Sequence, residues 1–262
     1  MSTYRVRAYN TALASDNKIH DDAVARRLGF RGGLVPGVDV YAYLTHPVAD
    51  RWGRAWLDHG RISARFLKPV YDGEAIEVAA VDAESGLALE LRNAAGELCA
   101  EATASLPNPH APAADIAAYP AADLPAVPPP ASPATLIGGA VLGSFESGFH
   151  ADRAGEYLAD VREELPLYRA EGVAHPGYLL RSANYILAAN VKLGPWIHVA
   201  SAVQNYGAAV DGDRISTRGR VRAVYERKGH RFVELDLLMI ANTSRPVVHV
   251  HHTAIYQPRH LA

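Results

Sequence analysis

Residues 15 to 43 read S-D-N-K-I-H-D-D-A-V-A-R-R-L-G-F-R-G-G-L-V-P-G-V-D-V-Y-A-Y, and the fold is decided by how this stretch ends. From Val38 onward, Val38, Tyr41, Ala42, Thr45 and Ala49 fall at helical spacing and form a continuous, mostly apolar stripe, which predicts a central, largely buried helix opening at Pro36-Gly37. Pro47 is expected to interrupt it and restart a final turn to about Trp52, since proline suits a first helical turn and not an interior. The same stretch begins with a short turn carrying a carboxylate (Asp16), a carboxamide (Asn17) and an imidazole (His20). Between them, Asp21 to Leu28 places acidic residues first, Arg26 and Arg27 last and Gly29 after, as a short helix requires.

On either side of the helix the period is 2. Tyr4, Val6 and Ala8 alternate with Arg5 and Arg7 before it. After it come Ile62, Ala64 and Phe66, then Ile76, Val78 and Ala80 beyond the Asp72-Gly73 turn, then Leu87, Leu89 and Leu91, and a last strand from about Glu97 to Ser105. One long helix followed by an antiparallel meander is an α+β unit. Residues 106–134 then shift to Pro and Ala, with Pro128-Pro129-Pro130 inside, and read as an extended connector.

The second half repeats the plan of the first. Pro36-Gly37 returns as Pro176-Gly177 before a helix from Tyr178 to Val191, His59 as His198, and Asp72-Gly73 as Asp211-Gly212, at offsets of 140, 139 and 139 residues. Strands are expected at Trp196 to Tyr206, Arg214 to Glu226, Phe232 to Ala241 and Val247 to Tyr256. The chain therefore divides into residues 1–105, the connector 106–134, and 135–262.

Composition bounds the partners. The chain has 262 residues, 49% hydrophobic and 21% charged, enough for a full core, and its net charge of -2 supplies no basic footprint for nucleic acid and no polybasic run for a membrane surface. The N-terminal residues lack the apolar core of a signal peptide, and no segment approaches the roughly 18 apolar residues of a membrane span. A single cysteine, Cys99, forms no internal disulfide, so a reducing cytoplasm is the expected compartment.

A helix wrapped by an antiparallel sheet, present twice, resembles the double hot-dog fold. More narrowly, S-D-N-K-I-H followed by G-F-R-G-G-L-V-P-G-V resembles the MaoC-like dehydratase or (R)-specific enoyl-CoA hydratase family, whose pattern is D-x-N-P-x-H. The resemblance implies a hydro-lyase acting on a 2-enoyl or 3-hydroxyacyl thioester of CoA or an acyl carrier protein, without a cofactor. It implies His20 as the catalytic histidine, Asp16 as its acid, Asn17 as the matching asparagine, which could hold a neighbouring loop or bind the thioester, and the Gly37 backbone N–H, with Val38 beside it, as a donor to the thioester carbonyl. Ser15 stands where the family has its acid, Asp16 comes one residue late, and Lys18 replaces the proline. That displacement keeps two other readings open, a hot-dog acyl thioesterase and a non-catalytic acyl-binding or dedicated biosynthetic protein. The chemistry suits the residue types in any case, because histidine moves protons near neutral pH and amide donors at a helix N-terminus stabilise an enolate-like oxygen. The plain structural alternative is a capped turn in which Asp16 and Asn17 satisfy local backbone.

Other candidates are weaker. Ser63 is read as a polar contact to the site, against the default of an outward strand serine. Tyr41 and Tyr43 read as core or lining. His175 reads as a loop histidine satisfied by backbone. Residues 157–161, matching the Asp16 to His20 turn, contain no histidine, so the second half is expected to lack a site of its own and to pair with the first. His249 and His251 share a strand face opposite His252, with no Cys, Asp or Glu beside them in sequence, so a structural strand is expected rather than a metal site. Gly138 to Gly143 fits no nucleotide-binding loop and marks the first strand of the second half. The expected assembly is a homodimer or a monomer whose two halves form a pseudo-dimer.

Overall fold

The computed structural model describes residues 2–259. Ten strands form one continuous antiparallel sheet: β1 Ser2–Arg7, β2 Arg61–Phe66, β3 Ala75–Ala83, β4 Gly86–Asn93, β5 Leu98–Ser105, β6 Val141–Gly148, β7 Ile197–Asn205, β8 Arg214–Arg227, β9 His230–Ala241 and β10 Arg245–Gln257. Their order across the sheet is β1-β3-β4-β5-β2-β7-β10-β9-β8-β6. The arrangement reads the same from either edge, with β1, β3, β4, β5 and β2 answered by β6, β8, β9, β10 and β7. The halves join where β2 pairs with β7, Ser63 opposite Ala202.

Among the described residues five α-helices are interspersed: α1 Asp22–Arg27, α2 Gly37–His59, α3 Ala154–Asp160, α4 Leu167–Glu171 and α5 Pro176–Asn190. The sheet wraps α2 and α5, which pack against one another, giving the double hot-dog architecture. On α2, the stripe residues Val38, Tyr41, Ala42, Thr45 and Ala49 are all buried. Each large apolar side chain so buried, such as Leu44, stabilises the fold by about 1.5–3 kcal/mol relative to exposure.

The duplication is visible in turn chemistry. Asp72 Oδ1 accepts the backbone N–H of Asn10 at 2.8 Å, and Asp211 Oδ1 accepts that of Ala151 at 2.9 Å. Gly73 donates to Ala8 O at 2.8 Å, and Gly212 donates to Phe149 O at 3.0 Å. Each Asp-Gly pair therefore ties the chain leaving its half's first strand to the turn that enters that strand's neighbour in the sheet, β3 or β8. The third sequence match has no such counterpart: His59 ends α2, whereas His198 lies within β7, because α2 spans 23 residues and α5 only 15.

Two further expectations are corrected. Pro47 sits inside α2 without ending it; the break falls at Gly53, whose φ of 54° and ψ of -140° lie outside the helical region. The first strand of the second half starts at Val141, so Gly138 to Ala140 precede it. Residues 106–134 carry a single 3-10 turn, Ile116–Ala118, and are fastened to the second half. Ser144 N–H donates to Ala122 O at 2.8 Å and Ala122 N–H to Ser144 Oγ at 3.1 Å, which occupies part of the exposed edge of β6. No helix among the described residues is long and apolar enough to cross a membrane.

Candidate active site

His20 ends a one-turn 3-10 helix, Lys18–His20, and the Gly-rich loop is strapped across it. Leu34 N–H donates to Ile19 O at 3.2 Å, Gly33 N–H to Asp22 Oδ1 at 2.8 Å, and Asn10 Nδ2 to His20 O at 3.0 Å. A β-carbon at Gly33 would run into the His20 carbonyl, so only glycine permits this approach. The loop in turn fixes the imidazole. His20 Nδ1 lies 2.7 Å from Leu34 O, and since a carbonyl can only accept, Nδ1 carries the proton and Nε2 is the ring's acceptor. Burial pushes the His20 pKa below its ordinary value, although the Leu34 carbonyl and the charge of Asp39 pull the other way. The ring is thus neutral near pH 7, with its basic nitrogen defined.

Two cavities meet at this ring. One, of about 310 Å³, is mostly apolar and lies among Phe30, Val40, Phe66, Val70 and Ile197. The other, of about 740 Å³, is more polar and includes Thr11, Asp16, Arg181 and Lys192. Asn17, His20, Pro36, Asn184 and Trp196 line both. The start of α2 lies here, and no side chain caps it. The N–H groups of Gly37 and Val38, which have no intrahelical acceptor, are therefore available donors at the positive end of the helix. A β-carbon at Gly37 would lie 2.8 Å from Nδ1 and 3.1 Å from Cβ of His198, so glycine is what lets β7 come this close. His198 itself is neutral, its pKa well below normal through burial and the adjacent His252.

Of the residues expected from sequence, His20, Gly37 and Val38 come together at this junction. Asp16 lines the larger cavity but is exposed and has no polar partner among the described residues. Asn17 is already committed: its Oδ1 accepts Trp196 N–H at 3.1 Å and its Nδ2 donates to Trp196 O at 3.0 Å, with a longer 3.4 Å contact to His20 Nε2. That clamp fastens the His20 turn to the strand-entry segment of the other half. Asn17→Ala is expected to cost about 1–3 kcal/mol of stability, read as a lowered urea midpoint, by leaving buried backbone groups of Trp196 unpaired. Ser63 does not reach the site. Ile62 and Ala64 are the buried residues of β2, so alternation turns Ser63 to the outer face of the sheet.

Sequence reasoning missed a buried ion pair beside the larger cavity. Asp39, on α2, is fully buried and accepts from Arg181 Nη2 of α5 at 2.9 Å and from Thr11 Oγ1 at 2.6 Å. The Arg181 guanidinium also lies over the Tyr157 ring, 4.5 Å from its centroid. Burial raises the Asp39 pKa, and Arg181 and Thr11 only partly offset this. The available signal was one acid in the middle of an apolar helical stripe; its partner lies 142 residues away. Asn184 was missed for the same reason of distance.

The corresponding end of α5 is occupied. His175 Nδ1 accepts Gly177 N–H at 3.0 Å, so backbone satisfies one ring nitrogen while the buried Nε2 has no hydrogen-bond partner among the described residues, and the Tyr157 hydroxyl packs against Gly177. Residues 157–161, the match to the His20 turn, are largely helical in α3. Glu163 sits below, 2.9 Å from His46 Nδ1 and 3.4 Å from His175 Nε2. Burial would raise the Glu163 pKa, but these imidazoles hold it at about 2.

The His249–His251 face does have an acid beside it, contrary to expectation: Asp236 on β9 lies opposite His251. Asp236 Oδ1 is 2.6 Å from His249 Nε2 and accepts from Tyr119 Oη at 2.9 Å, while Arg222 contacts His251 Nδ1 at 3.2 Å. With Arg220 also 3.8 Å from Asp236, the cluster's donors are spent on one another and two guanidinium groups would oppose a cation.

The fold and this site define a class of architecture, the double hot-dog, before any likeness is considered. No family model matches the chain, and no curated protein matches it. Among solved structures it is similar to a MaoC-like dehydratase, with a TM-score of 0.62, 13% identity, and coverage of 98% of each chain. It is similar also to a conserved hypothetical protein of Mycobacterium tuberculosis with a double hot-dog fold, with a TM-score of 0.61, 14% identity, and coverage of 97% of this chain and 96% of that one. A candidate thioesterase II of Thermobifida fusca YX gives a TM-score of 0.50 at 14% identity, covering 98% and 93%. At such identities the shared property is the fold.

Proposed function

We propose that the chain is a hydro-lyase that hydrates a 2-enoyl thioester, or dehydrates the 3-hydroxyacyl thioester, carried on CoA or an acyl carrier protein. The observation that carries this reading is the neutral His20, its tautomer fixed by Leu34 O, standing where an apolar and a polar cavity meet at an uncapped helix N-terminus. The acyl chain occupies the apolar cavity, and the thioester carbonyl takes the Gly37 and Val38 amides. As water attacks C3, His20 Nε2 takes its proton, the π electrons move toward the thioester oxygen, and the same imidazolium returns the proton to C2. Dehydration runs this sequence backwards. The second half, its helix N-terminus filled, supports the first half's site and has none of its own.

The test is incubation with 2-enoyl-CoA substrates of short and medium chain, following loss of the enoyl absorbance and release of free thiol. Hydration without thiol release supports the lyase; thiol release alone replaces it with a thioesterase. Asp16, exposed and unpartnered, is not needed in this mechanism. Asp16→Asn is expected to change kcat/KM by no more than about twofold, against the 10²–10⁴ that a proton-transfer group typically contributes.

A further inference from the structure

Asn184 belongs to α5, in the half without the histidine, yet it lines both cavities at the point where His20 lines them. Its carboxamide has no hydrogen-bond partner among the described residues, and Oδ1 is shielded from solvent. Buried amide oxygens are rarely left this way, because desolvation is not repaid. The other asparagines nearby are fully used. Asn17 is bound on both atoms to Trp196, and Asn190, on the same helix, accepts from Gly143 N–H at 2.7 Å and donates to Gly143 O at 2.9 Å. Arg181, one turn before Asn184, is held by Asp39. A half-turn of the Asn184 amide exchanges its acceptor and donor, so the side chain can offer either at the junction.

The geometry points to Asn184 as the group that holds the oxygen added to or lost from C3, so that the active site takes its base from one half and its water-binding amide from the other. This rests on the hydro-lyase reading. A water has two protons: one goes to His20 Nε2 as its oxygen attacks C3, and the other is held by the Asn184 amide oxygen, brought to the cavity side by that half-turn, which aims the oxygen lone pair. In the reverse direction the amide holds the C3 hydroxyl while His20 takes the C2 proton and delivers it to the departing oxygen. Asn184 exchanges no proton itself. It supplies the second contact to that oxygen, which the displaced Asp16 does not.

The experiment uses the full chain with Asn184→Ala and Asn184→Asp, measuring steady-state hydration, thermal unfolding, and binding of 3-hydroxybutyryl-CoA against butyryl-CoA by calorimetry. Asn184→Ala should lower kcat by at least about tenfold with a smaller change in KM, as loss of a transition-state contact does. It should leave the melting temperature unchanged or raised, because no native hydrogen bond is removed. It should also lose any preference of the wild type for the 3-hydroxy ligand, and Asn184→Asp, which keeps an acceptor, should recover part of both. A fall in stability together with an unchanged kcat would make Asn184 structural and overturn the inference, as would a retained 3-hydroxy preference in Asn184→Ala. If the wild type hydrates nothing but still prefers the 3-hydroxy ligand through Asn184, the lyase reading fails and the binding role stands; if it shows neither hydration nor preference, both fall.

Discussion

His20→Ala is expected to lower kcat/KM for hydration by about 10²–10⁴, the usual contribution of a positioned proton-transfer group, while the protein remains folded. The wild-type pH profile carries the finer test. His20 must be neutral to accept a proton, and burial depresses its pKa, so kcat/KM should fall only as the pH drops through a value below the ordinary 6.5 and stay level above it. Fold stability must be followed alongside. His252 is buried with its pKa lowered to about 3, so the unfolded chain binds a proton that the native state refuses, and stability is lost as pH falls below about 6.5. A decline in activity at a pH where circular dichroism is unchanged therefore belongs to the site. A profile unaffected by His20→Ala would remove His20 from the mechanism.

Arg181→Ala is expected to be strongly destabilising, by about 3–5 kcal/mol in urea unfolding, because it leaves the Asp39 carboxylate buried without its countercharge. Two features separate this from simple loss of packing. The Asp39→Ala/Arg181→Ala double variant should be less destabilised than Arg181→Ala alone, since no uncompensated charge remains. The deficit of Arg181→Ala should also shrink on acidification: with its folded pKa raised further, Asp39 binds a proton in the native state before the unfolded chain does, and lower pH then favours the fold. Additive single effects, and a deficit independent of pH, would show that the ion pair contributes nothing beyond its contacts.

What could be read from sequence was what is encoded locally. The stripe from Val38 to Ala49 gave a buried helix because every member is covered, by the sheet or by α5, and the two Asp-Gly turns were recognisable because an Asp side chain accepting a nearby N–H is the same short-range device in both halves. His20 was legible because its turn, loop and helix follow within thirty residues. What failed depended on contacts between halves. Sequence left Asn17 between holding a loop and holding the thioester until Trp196 took both amide atoms, Asp39 had no visible partner without Arg181, and Asp236 met His251 only through strand pairing. Ser63 was a failure of facing, since one step along β2 changes the side of the sheet. The break of α2 moved from Pro47 to Gly53 because a long helix, with Pro47 and its neighbours Val48 and Ala49 buried, can absorb one missing N–H, whereas a residue at positive φ leaves the helical path.

The clamp of Asn17 on Trp196 spans 179 residues of chain, and the central β2–β7 pair closes a shorter but still long loop, from Arg61 to Gln204. Loop closure of that size costs entropy that grows slowly with length, but pairings of such high contact order form late. A nascent N-terminal half emerging from the ribosome would carry His20 and the start of α2, yet lack β7, the backbone that fixes Asn17, and the α5 wall of both cavities. If the proposed hydro-lyase function holds, turnover in a refolding assay would therefore report completion of the whole sheet rather than recovery of either half.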